Sequence, residues 1–155
     1  MISTPHVDWF AMAPALALLG AGAIALLAAV LGTAERRKQV AATAVFGGFV
    51  GAFVAAALLY AKSPVAQDVI SGSLTRDRWG ALAMIILAGA GGLTVLVSYG
   101  ERTKEHVAEY YALLAAAGAG MLFLAQASNL MTIFLGIEWF SIALYILCAI
   151  DIDRE

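Results

Sequence analysis

The stretch Met131-Thr-Ile-Phe-Leu-Gly-Ile-Glu138-Trp-Phe-Ser141-Ile-Ala-Leu-Tyr145-Ile-Leu-Cys148 decides how this chain folds. It is apolar on nearly every side, so it has no polar face to turn to water. About 20 such residues make a helix that crosses the roughly 30 Å of hydrocarbon in a bilayer. Glu138 interrupts the run near its middle. The sequence places no other Asp, Glu, Lys, Arg or His inside a long apolar run; the rest fall in connecting segments or at the ends. An acid at the bilayer centre costs about 2.5–3.5 kcal/mol even on the lenient insertion scale. A chain this apolar does not need that cost in order to fold, which makes Glu138 the first candidate for function.

Composition agrees with the membrane reading. Hydrophobic residues make up 63% of the 155 and charged residues only 13%, against about a quarter in a soluble domain. The single Cys148 excludes a disulfide scaffold, and no Cys/His spacing suits zinc or an iron–sulfur cluster. With a formal net charge of −2 and no basic tract, nucleic acid is not an expected partner. The chain contains no nucleophile–base pair, phosphate loop or dinucleotide fingerprint, so no bond chemistry or cofactor is expected within it.

Four more apolar runs are long enough to span, giving five in all: about 10–31, 40–61, 79–99, 108–127 and 131–150. In lipid the backbone must satisfy its own hydrogen bonds, and these long uniform runs suit helices rather than strands. The expected fold is an all-α membrane protein, a single five-helix membrane domain over residues 1–155. The first run is too long for the apolar core of a signal peptide, and no Lys or Arg precedes it, so it is expected to be a retained span.

Charge sets the orientation. Arg36, Arg37, Lys38, Arg102, Lys104 and Arg154 fall on one side, Lys62, Arg76 and Arg78 on the other. The positive-inside rule then puts the N-terminus outside and the C-terminus in the cytoplasm. Trp9, Tyr60, Trp79, Tyr99 and Tyr110 stand at span ends, as interfacial anchors do. The longest connection, Lys62–Arg78, holds Pro64, Gly72 and the polar run Ser71–Asp77 and reads as an extended or hairpin-like loop. Asp77 is placed to cap the third span and Asn129 the fifth. The turn at about Ala127–Leu130 is so short that spans four and five must be antiparallel neighbours.

Small residues are dense within the spans: Gly47-Gly48-Phe-Val-Gly51, Gly89-Ala-Gly91-Gly92 and the run Ala115–Gly120. They let helix backbones approach closely, which is how helices associate in lipid. A generic close-packed bundle explains them without any specific dimer.

On the fifth span Glu138, Ser141, Tyr145 and Cys148 follow an i, i+3, i+7, i+10 spacing, a narrow polar stripe on one face. Burial favours the protonated form of any carboxyl and a nearby cation favours the ionised one. The charge of an acid in such a place therefore follows its partner, which is what a proton relay or a coupling switch requires. The bland alternative is a permanently protonated Glu138 tethering a neighbouring helix. Ser141 and Tyr145 are weaker candidates, since a membrane Ser usually bonds its own backbone and Tyr145 can serve as an anchor. His6 and His106 read as solvated, and Glu101, Arg102, Lys104, Glu105 and Glu109 as a charged face in water.

Two strings carry a resemblance: Glu109-Tyr-Tyr-Ala-Leu-Leu114, and Leu124-Ala-Gln-Ala-Ser-Asn129-Leu-Met-Thr-Ile-Phe-Leu-Gly-Ile-Glu138-Trp-Phe-Ser141-Ile-Ala-Leu-Tyr145-Ile-Leu. Both resemble the subunit N family of bacterial NADH:quinone oxidoreductase (complex I), in which an Asn-bearing turn leads into a helix with this Glu. Leu74-Thr-Arg-Asp77-Arg-Trp-Gly-Ala81 resembles the same family's entry to its third helix. The resemblance implies an antiporter-like subunit of the cell (inner) membrane that couples NADH-to-quinone electron transfer to proton translocation. It implies FMN, iron–sulfur clusters and quinone in partner subunits, and other membrane subunits, lipid and protons as partners. In that family the Glu pairs with a Lys on a later helix; only the Glu carries over, as Glu138. The family continues for many more helices, so this chain is expected to be the first part of a larger antiporter-like bundle and not to move protons alone. A subunit of a multisubunit cation/proton antiporter or membrane-bound hydrogenase is the nearest alternative. A purely structural membrane module is the third.

Overall fold

The computed structural model describes residues 7–62, 65–70, 72–101 and 106–150. His6, Pro64, Ser71, Arg102, Lys104, Glu105 and Arg154 lie outside them, as does the side chain of Glu101. Five long helices form: α1 (Trp9–Leu31), α2 (Ala34–Lys62), α3 (Arg78–Glu101), α4 (Val107–Leu124) and α5 (Leu130–Ala149). All five are long and apolar enough to cross a membrane. Their outward surfaces carry large apolar side chains such as Leu31, Val97 and Leu130, each more than 70% exposed. A surface of that kind suits lipid and not water.

Three of the helices, α1, α3 and α5, begin at a residue whose side chain caps them. Asp8 caps α1, its Oδ1 accepting from the N–H of Phe10 at 3.0 Å and of Ala11 at 3.4 Å. Asp77 caps α3 as expected, Oδ1 accepting from Gly80 N–H at 2.6 Å. Asn129 caps α5 through a reciprocal box: its Oδ1 accepts from Thr132 N–H at 2.9 Å, and Thr132 Oγ1 accepts from Asn129 N–H at 3.3 Å. These bonds satisfy helix-end donors that lipid cannot.

Two spans differ from the sequence reading. The second begins not at residue 40 but at Ala34, so Arg36, Arg37 and Lys38 belong to the first turns of α2 and only Gly32 and Thr33 link it to α1. Apolarity marks where a helix enters lipid. It does not mark where helix begins, and Ala-Glu-Arg-Arg-Lys-Gln is a run of strong helix formers. Arg37 also folds back, its Nε donating to the Gly32 carbonyl at 2.7 Å. The fourth span stops at Leu124 rather than continuing to 127, because the chain from Ala125 turns to meet a small sheet.

That sheet is the expected hairpin. Strands β1 (Gln67–Ile70) and β2 (Leu74–Arg76) pair antiparallel, turning through Gly72 at φ +74°, a conformation that favours glycine. Ala127 bridges to Leu74, so the α4–α5 turn lines the outer edge of β2. Ser128 Oγ donates to the Gly72 carbonyl at 2.7 Å and Thr132 Oγ1 to the Ser73 carbonyl at 2.9 Å. On another side Arg76 donates to Asp8 Oδ2 at 3.0 Å and to the Lys62 carbonyl at 3.2 Å. The hairpin thus ties together the ends of α1, α2, α4 and α5 on one side of the bundle.

In the bundle α1 lies against α2 and α4, α2 against α3 and α4, and α5 mainly against α4. Phe49 is the central knob: its ring lies against Gly91 of α3 and Gly118 of α4, where a methyl group would collide with it. Of the glycines in the Gly47–Gly51 motif, Gly48 makes the close approach, facing Ala21 of α1, while Gly47 meets open space. The close contacts use single small residues and not a GxxxG pair. At the two ends, Lys38 Nζ sits 4.7 Å from the Tyr99 ring centre and Arg78 lies 5.6 Å from that of Tyr60. The anchoring aromatics Trp9, Tyr60, Trp79, Tyr99 and Tyr110 all fall in the first or last turns of their helices.

Candidate functional site

Helix α5 is held by one narrow face. Thr132, Gly136 and Ala143 are its only buried residues, with Trp139 and Phe140 half-buried beside them. A methyl group on Gly136 would stand 3.0 Å from Leu124 Cβ, and one on Gly120 would stand 3.0 Å from the Phe140 nitrogen, so α4 and α5 touch almost backbone to backbone. The Trp139 ring lies 5.9 Å from that of Phe123.

The polar stripe occupies the opposite side. At about 100° per residue, Glu138, Ser141, Tyr145 and Cys148 cluster in an arc diametrically across the helix from Thr132, Gly136 and Ala143. Glu138, Tyr145 and Cys148 are exposed and Ser141 is half-buried. Glu138 stands about 12 Å along a helix about 30 Å long, well inside hydrocarbon depth. Among the described residues it has no hydrogen-bond or ion-pair partner. The carboxylate is not spent on the fold of these five helices. It lies exposed on the outward face of α5, with Ser141 about one turn and Tyr145 about two turns further along the same side.

No arrangement among the described residues groups three His, Cys, Asp or Glu side chains at metal-binding range. His106 is exposed at the start of α4, 3.8 Å from Glu109, in keeping with a solvated reading. Cys148 is free and exposed.

Sequence reasoning passed over the polar junction at the hairpin end. The Gln126 amide nitrogen donates to the Ala11 carbonyl at 3.0 Å, and Arg76 pairs with Asp8. Partial burial acts to raise the Asp8 pKa. The Arg76 hydrogen bond and the N–H groups of Ala11 and Phe10 outweigh it and hold the carboxyl below its ordinary 3.8. The signal was local: a Gln three residues before the capping Asn129, and an Asp just before the first long apolar run.

Five membrane-length helices with one mid-span carboxylate on an unpacked face define a multi-pass helical membrane protein. Curated relatives give the lineage. The chain is 32% identical over 154 residues, 97% of its length, to NADH-quinone oxidoreductase subunit N 1 of Herpetosiphon aurantiacus. It is 31% identical over 156 residues, 99% of its length, to NADH-quinone oxidoreductase subunit N 2 of Roseiflexus castenholzii. Over half of the chain, 78 residues, identity to subunit N 1 of Symbiobacterium thermophilum is 47%, covering 16% of that protein. No family model matches the chain. The chain is homologous to NADH-quinone oxidoreductase subunit N over nearly all of its residues, and it spans 30% of the length of the two full-coverage relatives.

Proposed function

We propose that this chain is part of a membrane-arm subunit of an NADH:quinone oxidoreductase and takes part in coupling electron transfer to proton translocation. Glu138 carries the coupling charge. The observation behind this reading is the placement of Glu138: an acid at mid-span depth, on the face of α5 that turns away from the five-helix bundle. A cation arriving on the open face of α5 would favour the ionised carboxylate, and its withdrawal would favour the protonated one. Proton uptake and release would then follow the position of that cation. Ser141 and Tyr145 follow on the same face of α5 and place two hydroxyls along the outward surface that carries Glu138.

In this reading the protein sits in the cell membrane with its N-terminus and the β1–β2 hairpin outside. Six of the nine Lys and Arg then lie on the cytoplasmic side. FMN, iron–sulfur clusters and quinone belong to partner subunits. Affinity purification from mild detergent tests the assembly. Recovery of flavin and iron–sulfur proteins with the tagged chain supports the reading. Recovery of small antiporter subunits alone would replace it with a cation/proton antiporter.

A further inference from the structure

The turn that launches α5 is bonded to the hairpin residue by residue. Thr75 N–H donates to the Gln126 carbonyl at 2.8 Å, and Ser128 N–H to the Ser73 carbonyl at 3.0 Å. Ser128 Oγ and Asn129 Nδ2 both donate to the Gly72 carbonyl, at 2.7 and 3.2 Å. Thr132 Oγ1, already inside the first turn of α5, reaches the same Ser73 carbonyl at 2.9 Å. The hairpin is anchored in its turn. Arg76 bonds Asp8 and the Lys62 carbonyl, and Asp8 N–H donates to the Val69 carbonyl at 3.3 Å. The start of α5 is thereby fixed to the start of α1 and the end of α2.

Beyond that turn α5 leans mainly on α4. The contact runs along Gly120 and Gly136, with the two backbones nearly touching. A narrow line of contact resists separation of two helices more than it resists rolling of one along the other. Side chains reach about 5–6 Å from a helix axis, so a roll of about 20° carries a carboxylate about 2 Å sideways. That shift breaks a hydrogen bond or ion pair made at about 3 Å. Hydrogen bonds are directional, so those from Ser128, Asn129 and Thr132 to the hairpin hold the first turn of α5 against such a roll.

We propose that Ser128 and Thr132 are positioning residues for Glu138. By bonding the hairpin they set the rotation of α5 and with it the direction in which the carboxylate points. Thr132 lies six residues before Glu138, about 9 Å along the helix, so it acts through the backbone of α5 and does not touch the carboxylate. This role rests on the reading of Glu138 as the coupling group.

The test is made in the intact membrane complex, as protons translocated per electron delivered to quinone, normalised to the amount of assembled complex. Thr132→Val removes the hydroxyl and keeps the shape, whereas Thr132→Ser keeps the hydroxyl. Thr132 also closes the α5 cap. Ser128→Ala therefore repeats the test outside the helix, and it stands in if Thr132→Val does not assemble. The ratio is expected to fall in Thr132→Val and Ser128→Ala and to recover in Thr132→Ser. In a Glu138→Gln background neither substitution should lower it further, because no carboxylate is left to position. An equal further loss in that background would overturn the proposal, leaving both residues a purely structural role. Glu138→Gln alone separates the two claims. A lowered ratio there, with Ser128→Ala and Thr132→Val at the wild-type ratio, overturns the positioning role only. An unchanged ratio there overturns the role of Glu138 and the positioning with it.

Discussion

Gly136 and Glu138, two residues apart on α5, point to opposite worlds. Gly136 is pressed against Leu124 of α4, and Glu138 stands exposed on the far side. One position holds α5 to the bundle, and the other faces away from it.

The first prediction concerns the attachment. Gly136→Val places branched carbon where a single methyl group already meets Leu124 at 3.0 Å, so α5 must move away from α4. Overpacking of this kind costs about 1–3 kcal/mol. Disulfide trapping between cysteines introduced at Leu124 and Gly136 neighbours, compared with and without the Val, should report a slower or lost cross-link.

A second prediction concerns the core. Phe49 fills the space that Gly91 and Gly118 leave open, and it is 2% exposed. Phe49→Ala should lower stability by about 3 kcal/mol, the lower end of the range for buried Phe, because lipid supplies part of the lost apolar environment. Gly91→Leu should be worse, since it collides with the ring instead of leaving a cavity. Thermal unfolding in detergent, followed by helical circular dichroism, ranks the two.

The third follows from Asp8. Its folded-state pKa lies below 3.8, so the ionised carboxylate stabilises the fold above that value, and the stabilisation is lost as pH falls through the folded-state value. Unfolding midpoints in detergent should hold steady from neutral pH down toward 3.8 and then fall. Asp8→Asn should start lower and lose less on acidification, because its cap and its pairing with Arg76 are already weakened. A variant as acid-sensitive as the wild type would show that Asp8 plays no part.

Most of this architecture was legible because lipid imposes simple rules. Long apolar runs had to be helices, and Asp77 and Asn129 announced the starts of α3 and α5. Gly72 announced the hairpin. What was hidden lay where hydropathy carries no information. The basic start of α2 is helix outside the apolar window, so Arg36–Lys38 read as loop. Gln126 read as the tail of a span when it is the pivot of a turn. The polar stripe through Glu138 was visible as a spacing. Its direction, away from the bundle, needed Gly120, Gly136 and Leu124 to be seen in contact.

In the proposed role Glu138 carries charge for coupling and does not merely tether a helix. Glu138→Gln keeps shape and hydrogen bonding and removes the ionised state. The decisive measurement is the ratio of protons translocated to electrons delivered to quinone in the intact membrane complex. Normal assembly with a lowered ratio is expected. An unchanged ratio in a fully assembled complex would leave Glu138 a tether.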